Sequence, residues 1–269
     1  MSSSPLPSSR PVARPTAGPA TTPAPPPTPP VAKRRINDIL LGRFERWALP
    51  RMAARLPRWM TPDGLTAIAL AGAFLSAVAY ALAGSNLVWL HVASLGLVIH
   101  WWGDSLDGTL ARVRQIRREK YGFFVDHQCD AISTVALCVG LGAGGLLQME
   151  IALAVCVGVL MLMLLVNMVT IARDVFKISF GAVGPTELRV IAIAFNTLAW
   201  AVGPQSFVVF GRTWTAFDGL GLLAVALLAG VYVVFVARET RLIARLDPTP
   251  PPGEDGIPFD PTGQSRTDD

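Results

Sequence analysis

Four aspartates in one short stretch are the residues of this chain best placed to do chemistry. Gly103–Asp130 reads GDSLDGTLARVRQIRREKYGFFVDHQCD, with carboxylates at 104, 107, 126 and 130. Asp104 and Asp107 are three apart, and Asp126 and Asp130 four apart. On helices, each pair shares a face. Both pairs lie in apolar surroundings, where even one Asp at the centre of a membrane helix costs ~2.5–3.5 kcal/mol. Clustered anions also repel, so they take up protons or recruit a cation. Hard oxygen ligands favour Mg²⁺, Mn²⁺ or Ca²⁺. Two such ions about 3.5–4 Å apart, bridged by carboxylates, suit phosphoryl chemistry. The rival reading is a salt-bridged cap with the loop arginines, which does not account for two helix-matched pairs.

The residues between the pairs fit the same chemistry. Gly108 and Ala111 follow the first pair, and small residues there admit either a bulky ligand or a second helix. Arg112, one turn beyond Gly108, can clamp a phosphate. Gly122 opens the next apolar stretch.

The elements that must position these groups are membrane helices. The 269-residue chain is 52% apolar and 16% charged, against about 25% charged in soluble domains. Six apolar stretches run roughly over 63–83, 87–111, 122–146, 150–172, 187–204 and 217–237. Most reach the ~20 residues that cross a bilayer core; the fifth is short and broken at Gly203-Pro204. The predicted fold is all-α, with six spans preceded by an interfacial helix. The acid pairs fall on the second and third spans, which a short connection makes antiparallel neighbours whose cytoplasmic halves meet.

The organisation follows from composition. Residues 1–35 are a Pro-rich tail without an apolar leader core, predicted to be disordered and cytosolic. Residues 36–60 mix Ile36, Ile39, Leu40, Phe44 and Trp47 with Arg43, Arg46 and Arg51, the pattern of a helix lying on an anionic membrane surface. Pro50 and Pro57 are expected to interrupt it. A six-span membrane domain, the expected seat of any catalysis, is predicted over 61–245, and 246–269 are predicted to form a second disordered tail. Cys129, Cys138 and Cys156 have no metal-site spacing and read as buried thiols.

Basic residues alternate between connections. Arg112, Arg114, Arg117, Arg118 and Lys120 crowd one loop, while the turns at 84–86 and 143–150 have none. The positive-inside rule then places both termini and the acid cluster on the cytoplasmic side. Arg173, Lys177, Glu187 and Arg189 gather around the fourth-to-fifth connection on that side. They are candidates to bind a polar acceptor, against an ordinary basic flank. His91 and His100 are lone histidines without metal spacing. Trp89, Trp101 and Trp102 read as belt or packing aromatics.

These residues resemble the signature of the CDP-alcohol phosphotransferase (CDP-alcohol phosphatidyltransferase) family, Asp-x2-Asp-Gly-x2-Ala-Arg, a spacer, then Gly-x3-Asp-x3-Asp. The matches are Asp104, Asp107, Gly108, Ala111, Arg112, Gly122, Asp126 and Asp130. The spacer is one residue longer than is usual in the family. The Thr61-Pro62 entry and six-span layout are similar too, over roughly 36–245. Asp126-His127-Gln128-Cys129-Asp130 and Thr186-Glu187 resemble the choline and ethanolamine phosphotransferase branch.

The resemblance implies a phospholipid-synthesis transferase that moves a substituted phosphate from a CDP-linked donor to a hydroxyl and releases CMP. It implies two divalent cations, Mg²⁺ or Mn²⁺, held by Asp104, Asp107, Asp126 and Asp130. Asp130 would also be the general base. Asp104, Gly108, Ala111 and Arg112 would meet the nucleotide and its phosphates. Two donors stay open: CDP-diacylglycerol with a polar alcohol, or a CDP-aminoalcohol with diacylglycerol. Membrane lipids are implied partners, nucleic acid is not, and a homodimer is a family expectation. Residue usage and compact length suggest a bacterial inner membrane. The rivals are a small transporter, which should show internal repeats, an inactive scaffold, and an aspartate-rich prenyltransferase, which should carry a tighter run of acids.

Overall fold

The computed structural model describes residues 42–173, 185–203, 205–209 and 211–248. Both predicted tails, apart from 246–248, and the start of the predicted interfacial helix lie outside the described residues. Seven helices and one hairpin follow in order: α1 (Gly42–Arg55), α2 (Pro62–Leu82), α3 (Trp89–Val113), α4 (Glu119–Ala143), α5 (Met149–Arg173), α6 (Pro185–Val202), β1 (Ser206–Val209), β2 (Arg212–Thr215) and α7 (Ala216–Leu246). Three of them, α2, α5 and α7, are long and apolar enough to cross a membrane by length and composition. The chain is an integral membrane protein built mainly from helices.

Local signals set the helix ends. Thr61 caps α2 by accepting from the Gly64 amide at 3.0 Å, with Pro62 in the first turn, where its missing N–H costs nothing. α7 starts on a capping box between Thr215 and Asp218. Buried Asp218 also accepts from the Gln148 amide at 2.7 Å, tying α7 to the α4–α5 turn. Gly203, at φ +73°, ends α6. Two expectations are corrected here. Pro50 lies inside α1 rather than breaking it, because Ala48, Leu49 and Ala53 bury on either side of it. The predicted all-α fold is also interrupted after α6 by an antiparallel hairpin, Ser206 opposite Thr215, turning through Gly211 at φ +75°.

The packing centre is α2. Its face carries Ala69, Gly72, Ala73, Ser76 and Ala77, all buried. α3 and α4 both pack on it but do not pack closely on each other. The expectation that α3 and α4 are direct neighbours is thereby corrected, and the reason lies in the glycines. A Cβ on Gly103 of α3 would come within 2.5 Å of the Leu65 carbonyl oxygen. One on Gly72 would come within 2.6 Å of the His100 amide, and one on Gly140 of α4 would strike the Ala77 backbone. Small residues let helices approach to backbone contact, so α2 draws in both partners and a gap remains between them.

The remaining helices pack outward: α1 and α6 on α3, α5 on α4, and α7 on α5. One end of the bundle closes on a core of Tyr80, Leu90, Ala93, Leu146, Ala199 and Phe217, drawn from five different segments. At the other end Leu49 and Ala53 of α1 meet Leu65, Leu106 and Leu110. The acid-bearing turns of α3 and α4 are at this second end.

Candidate active site

The loop between the acid helices is short and fixed. α3 stops at Val113 and α4 starts at Glu119, with Gln115 in the left-handed region at φ 57°. Gly122 is therefore inside the first turn of α4, not in the loop. Arg114 reaches back across the α1–α2 junction. Its guanidinium donates to the carbonyls of Leu56 at 3.1 Å, Pro57 at 2.8 Å, Arg58 at 3.4 Å and Met60 at 2.5 Å. Arg118 pairs with Asp63 at 2.8 Å and covers the Tyr121 ring. These arginines are used up in holding the loop, and the motif acids are not their partners.

The two pairs face the gap between α3 and α4. Asp107 and Asp130 each lie within the electrostatic reach of the other three carboxylates or of two of them: Asp130 of Asp104, Asp126 and Asp107, and Asp107 of Asp104 and Asp126. Asp107 accepts from Thr66 Oγ1 of α2 at 2.6 Å and from the Gly108 amide. Asp104 accepts from Arg189 Nη2 of α6 at 2.8 Å, and the same nitrogen lies 2.9 Å from His100 Nε2. Asp126 is half-exposed, with His127 Nδ1 3.7 Å away.

The small residues separate by role. A Cβ built on Gly108 meets nothing within 4 Å among the described residues, and the same holds for Gly122. The packing alternative for Gly108 therefore loses its support, and close approach of a ligand is what its missing side chain permits. Ala111 is half-buried beside it. Arg112 folds along its own helix, donating to the Gly108 carbonyl at 3.1 Å and to Thr109 Oγ1 at 2.9 Å.

The residues of the fourth-to-fifth connection divide. Arg189 is at the acid cluster. Arg173 is not: it pairs with buried Glu239 of α7 at 2.6 Å. Glu187 is buried in the first turn of α6, and Lys177 lies outside the described residues. Three further groups hold the site, and of these only His100 stands out in the sequence, as a lone histidine. Thr66 is a hydroxyl in an apolar span, just after the Thr61 cap. His100 stands one turn before Asp104. Glu45 of α1 accepts from Trp101 Nε1 at 3.3 Å and from Thr186 Oγ1 at 2.5 Å, joining α1, α3 and α6.

The donor set suits hard divalent cations, since all four candidate ligands are carboxylates facing one gap. As the side chains stand, no three of them converge closely enough to hold an ion among the described residues. Two are engaged elsewhere, Asp104 by Arg189 and Asp107 by Thr66.

A helical membrane protein with paired aspartates on two helices, both braced by a third, is the class this architecture defines. The chain belongs to the CDP-alcohol phosphatidyltransferase family, whose sequence model matches residues 59–237. It is also 33% identical over 104 residues to Cholinephosphotransferase 1 of Danio rerio. That match covers 34% of this chain and 27% of the relative's length.

Proposed function

We propose that this protein is a CDP-alcohol phosphotransferase of phospholipid synthesis, moving a substituted phosphate from a CDP-linked donor to an acceptor hydroxyl with release of CMP. The observation that carries the reading is the pair of aspartate turns facing one gap, with every fixed position of the motif present. Asp104, Asp107, Asp126 and Asp130 would hold two divalent cations, Mg²⁺ or Mn²⁺. Bound there, the cations would offset the pyrophosphate charge and make CMP a better leaving group. Asp130 would take the proton from the attacking hydroxyl, a weak nucleophile that gains from a carboxylate within hydrogen-bond reach. Gly108 leaves room for the nucleotide against the α3 backbone, beside Asp104 and Ala111, and Arg112 would turn from its own helix to the phosphates.

Six spans, α2 to α7, fit this chemistry. α3 and α4 have 25 residues each, enough at ~1.5 Å per residue to cross the core. Their acids lower their hydropathy relative to α2, α5 and α7. α6, with 18 residues, is the shortest. The basic α3–α4 loop supports an orientation with the site and both termini on the cytoplasmic side, where soluble nucleotide and membrane lipid would meet. A bacterial inner membrane is proposed from composition and length alone, and a homodimer from the family resemblance.

Of the two donors, we favour a CDP-aminoalcohol with diacylglycerol as acceptor. His127 and Cys129 within the second acid turn, and the similarity to a cholinephosphotransferase of Danio rerio, support it. The case for CDP-diacylglycerol with a polar alcohol rested on basic residues at 173–189. Arg173 is paired with Glu239 and Arg189 with Asp104, so that case now has fewer cations available. Glu187 and Arg189 remain the proposed contacts for the acceptor's polar end.

The test is CMP release by the purified chain in lipid nanodiscs, over a panel of CDP-donors with diacylglycerol and polar alcohols, followed by mass spectrometry of the lipid product. Asp130→Asn should stay folded and lose transfer, and excess chelator should stop the wild type until Mg²⁺ or Mn²⁺ is restored. No CMP from any donor, or wild-type turnover by Asp130→Asn, refutes the reading.

A further inference from the structure

Arg189 is placed where a metal ligand's counter-charge would be, and it is held there from two sides. Its Nη2 is 2.8 Å from Asp104 Oδ2 and 2.9 Å from His100 Nε2. The pair is well shielded, with side-chain exposures of 14% for Arg189 and 22% for Asp104, so solvent weakens it little. A guanidinium nitrogen can only donate. His100 Nε2 must therefore accept, which places the ring proton on Nδ1. That atom is buried without a hydrogen-bond partner among the described residues. His100 and Asp104 are four apart on α3 and thus stacked on one face. One Arg189 nitrogen bridges the two.

Building on the metal-dependent reading above, we infer that Arg189 is a built-in competitor of the divalent cation for Asp104. A guanidinium and a dication on one shielded carboxylate repel strongly, so Asp104 cannot serve both well. For Asp104 to give both its oxygens and its full charge to a metal, Arg189 must withdraw from Oδ2. His100 makes withdrawal possible, because the guanidinium keeps an acceptor in place when it gives up the carboxylate. The affinity of the site for its cation is then set by α6 as well as by the four acids. Thr186, one turn before Arg189, bonds Glu45, so the same helix end that carries the competitor is tied to α1.

The experiment is Mn²⁺ binding to the full chain in nanodiscs, followed by the loss of the free-ion EPR signal. Folding of each variant is checked by its thermal transition. Arg189→Gln should bind Mn²⁺ about tenfold more tightly than wild type, since a full positive charge beside the site is gone. His100→Phe, which leaves Arg189 no second acceptor, should shift affinity the other way. That opposite sign keeps the test open if Arg189→Gln fails to fold. In an Asp104→Asn background, Arg189→Gln should change affinity far less. Equal or weaker Mn²⁺ binding by Arg189→Gln overturns the inference, as does tighter or unchanged binding by His100→Phe. An Arg189→Gln effect undiminished without Asp104 also overturns it. Wild type that binds Mn²⁺ while these variants match it sinks the competitor role alone. A wild type and Arg189→Gln that both bind none overturn the metal reading and this inference together.

Discussion

Gly103→Ala is a one-carbon change next to the first acid, and its effect follows from the α2–α3 seam. The new Cβ would lie 2.5 Å from the Leu65 carbonyl oxygen and 2.7 Å from the Ala69 amide. Both atoms are backbone in one turn of α2, so no side chain can swing away. Ordinary contact begins near 3.4 Å, so α3 must back off by about 0.9 Å, an overpacking that costs ~1–3 kcal/mol. Thr66 lies between the two struck residues, and its 2.6 Å bond to Asp107 would open to about 3.5 Å, past useful hydrogen-bond length. Displacements of that size at a reacting site lower rates by ~100-fold. The assay is CMP release with thermal unfolding in the same nanodiscs. Gly230→Ala on α7 serves as control, since its Cβ meets nothing within 4 Å among the described residues. Wild-type rate and wild-type unfolding temperature in Gly103→Ala would refute the seam as what positions Asp104 and Asp107.

The other expected outcomes rest on separate contacts. Gly108→Ala should keep the wild-type unfolding temperature and lose donor affinity, read as a raised KM for the CDP-donor; destabilisation instead would return Gly108 to a packing role. Arg114→Met should destabilise the chain by about 2–4 kcal/mol, because it strips the part-buried Leu56 and Met60 carbonyls of their donor; denaturant unfolding in mild detergent measures it, and an unchanged midpoint would count against the clasp. Arg173→Met leaves the buried Glu239 carboxylate unpaired and should cost about 3–5 kcal/mol, with partial recovery in the Arg173→Met, Glu239→Gln double variant; no recovery would mean that the pair is not the source.

The helices were legible because each is long and apolar, and the acids because their three- and four-residue spacings match a helix face. α2, α3 and α5 begin and end within a few residues of the stretches read from hydropathy. Hydropathy says nothing of which helix faces which. That α2 stands between α3 and α4 depends on glycines meeting a small-residue stripe, and the stripe of Gly72, Ala73, Ser76 and Ala77 was the available signal. The hairpin was signalled too, by Val, Thr and Trp around Gly211, but its strands are four residues long and sat inside an apparent loop. Arg189 stands in the sequence only as a candidate acceptor contact or a basic flank, because charge counting treats each arginine alike. Its pairing with Asp104 spans 85 positions of sequence and exists only once α6 packs on α3.

The two halves of the motif are held differently, and this bears on how such a site would work. The α3 carboxylates are each gripped by another helix, Asp107 by Thr66 of α2 and Asp104 by Arg189 of α6. The α2 grip is backed by glycine-to-backbone packing on both flanks of Thr66, and cannot slide without breaking the seam. The α6 grip is a pair of hydrogen bonds from one nitrogen, with a second acceptor already in place. α4 packs on α2 and shares no close packing with α3, so the width of the gap depends on α2 and on the short α3–α4 loop. A cation in that gap would be held by Asp107, which Thr66 fixes, by Asp104, which it would have to share with Arg189, and by half-exposed Asp126. On the metal reading, Asp107 would hold such an ion from the outset and Asp104 would join it as Arg189 lets go, an order that rests on the difference in restraint and not on the spacing of the acids.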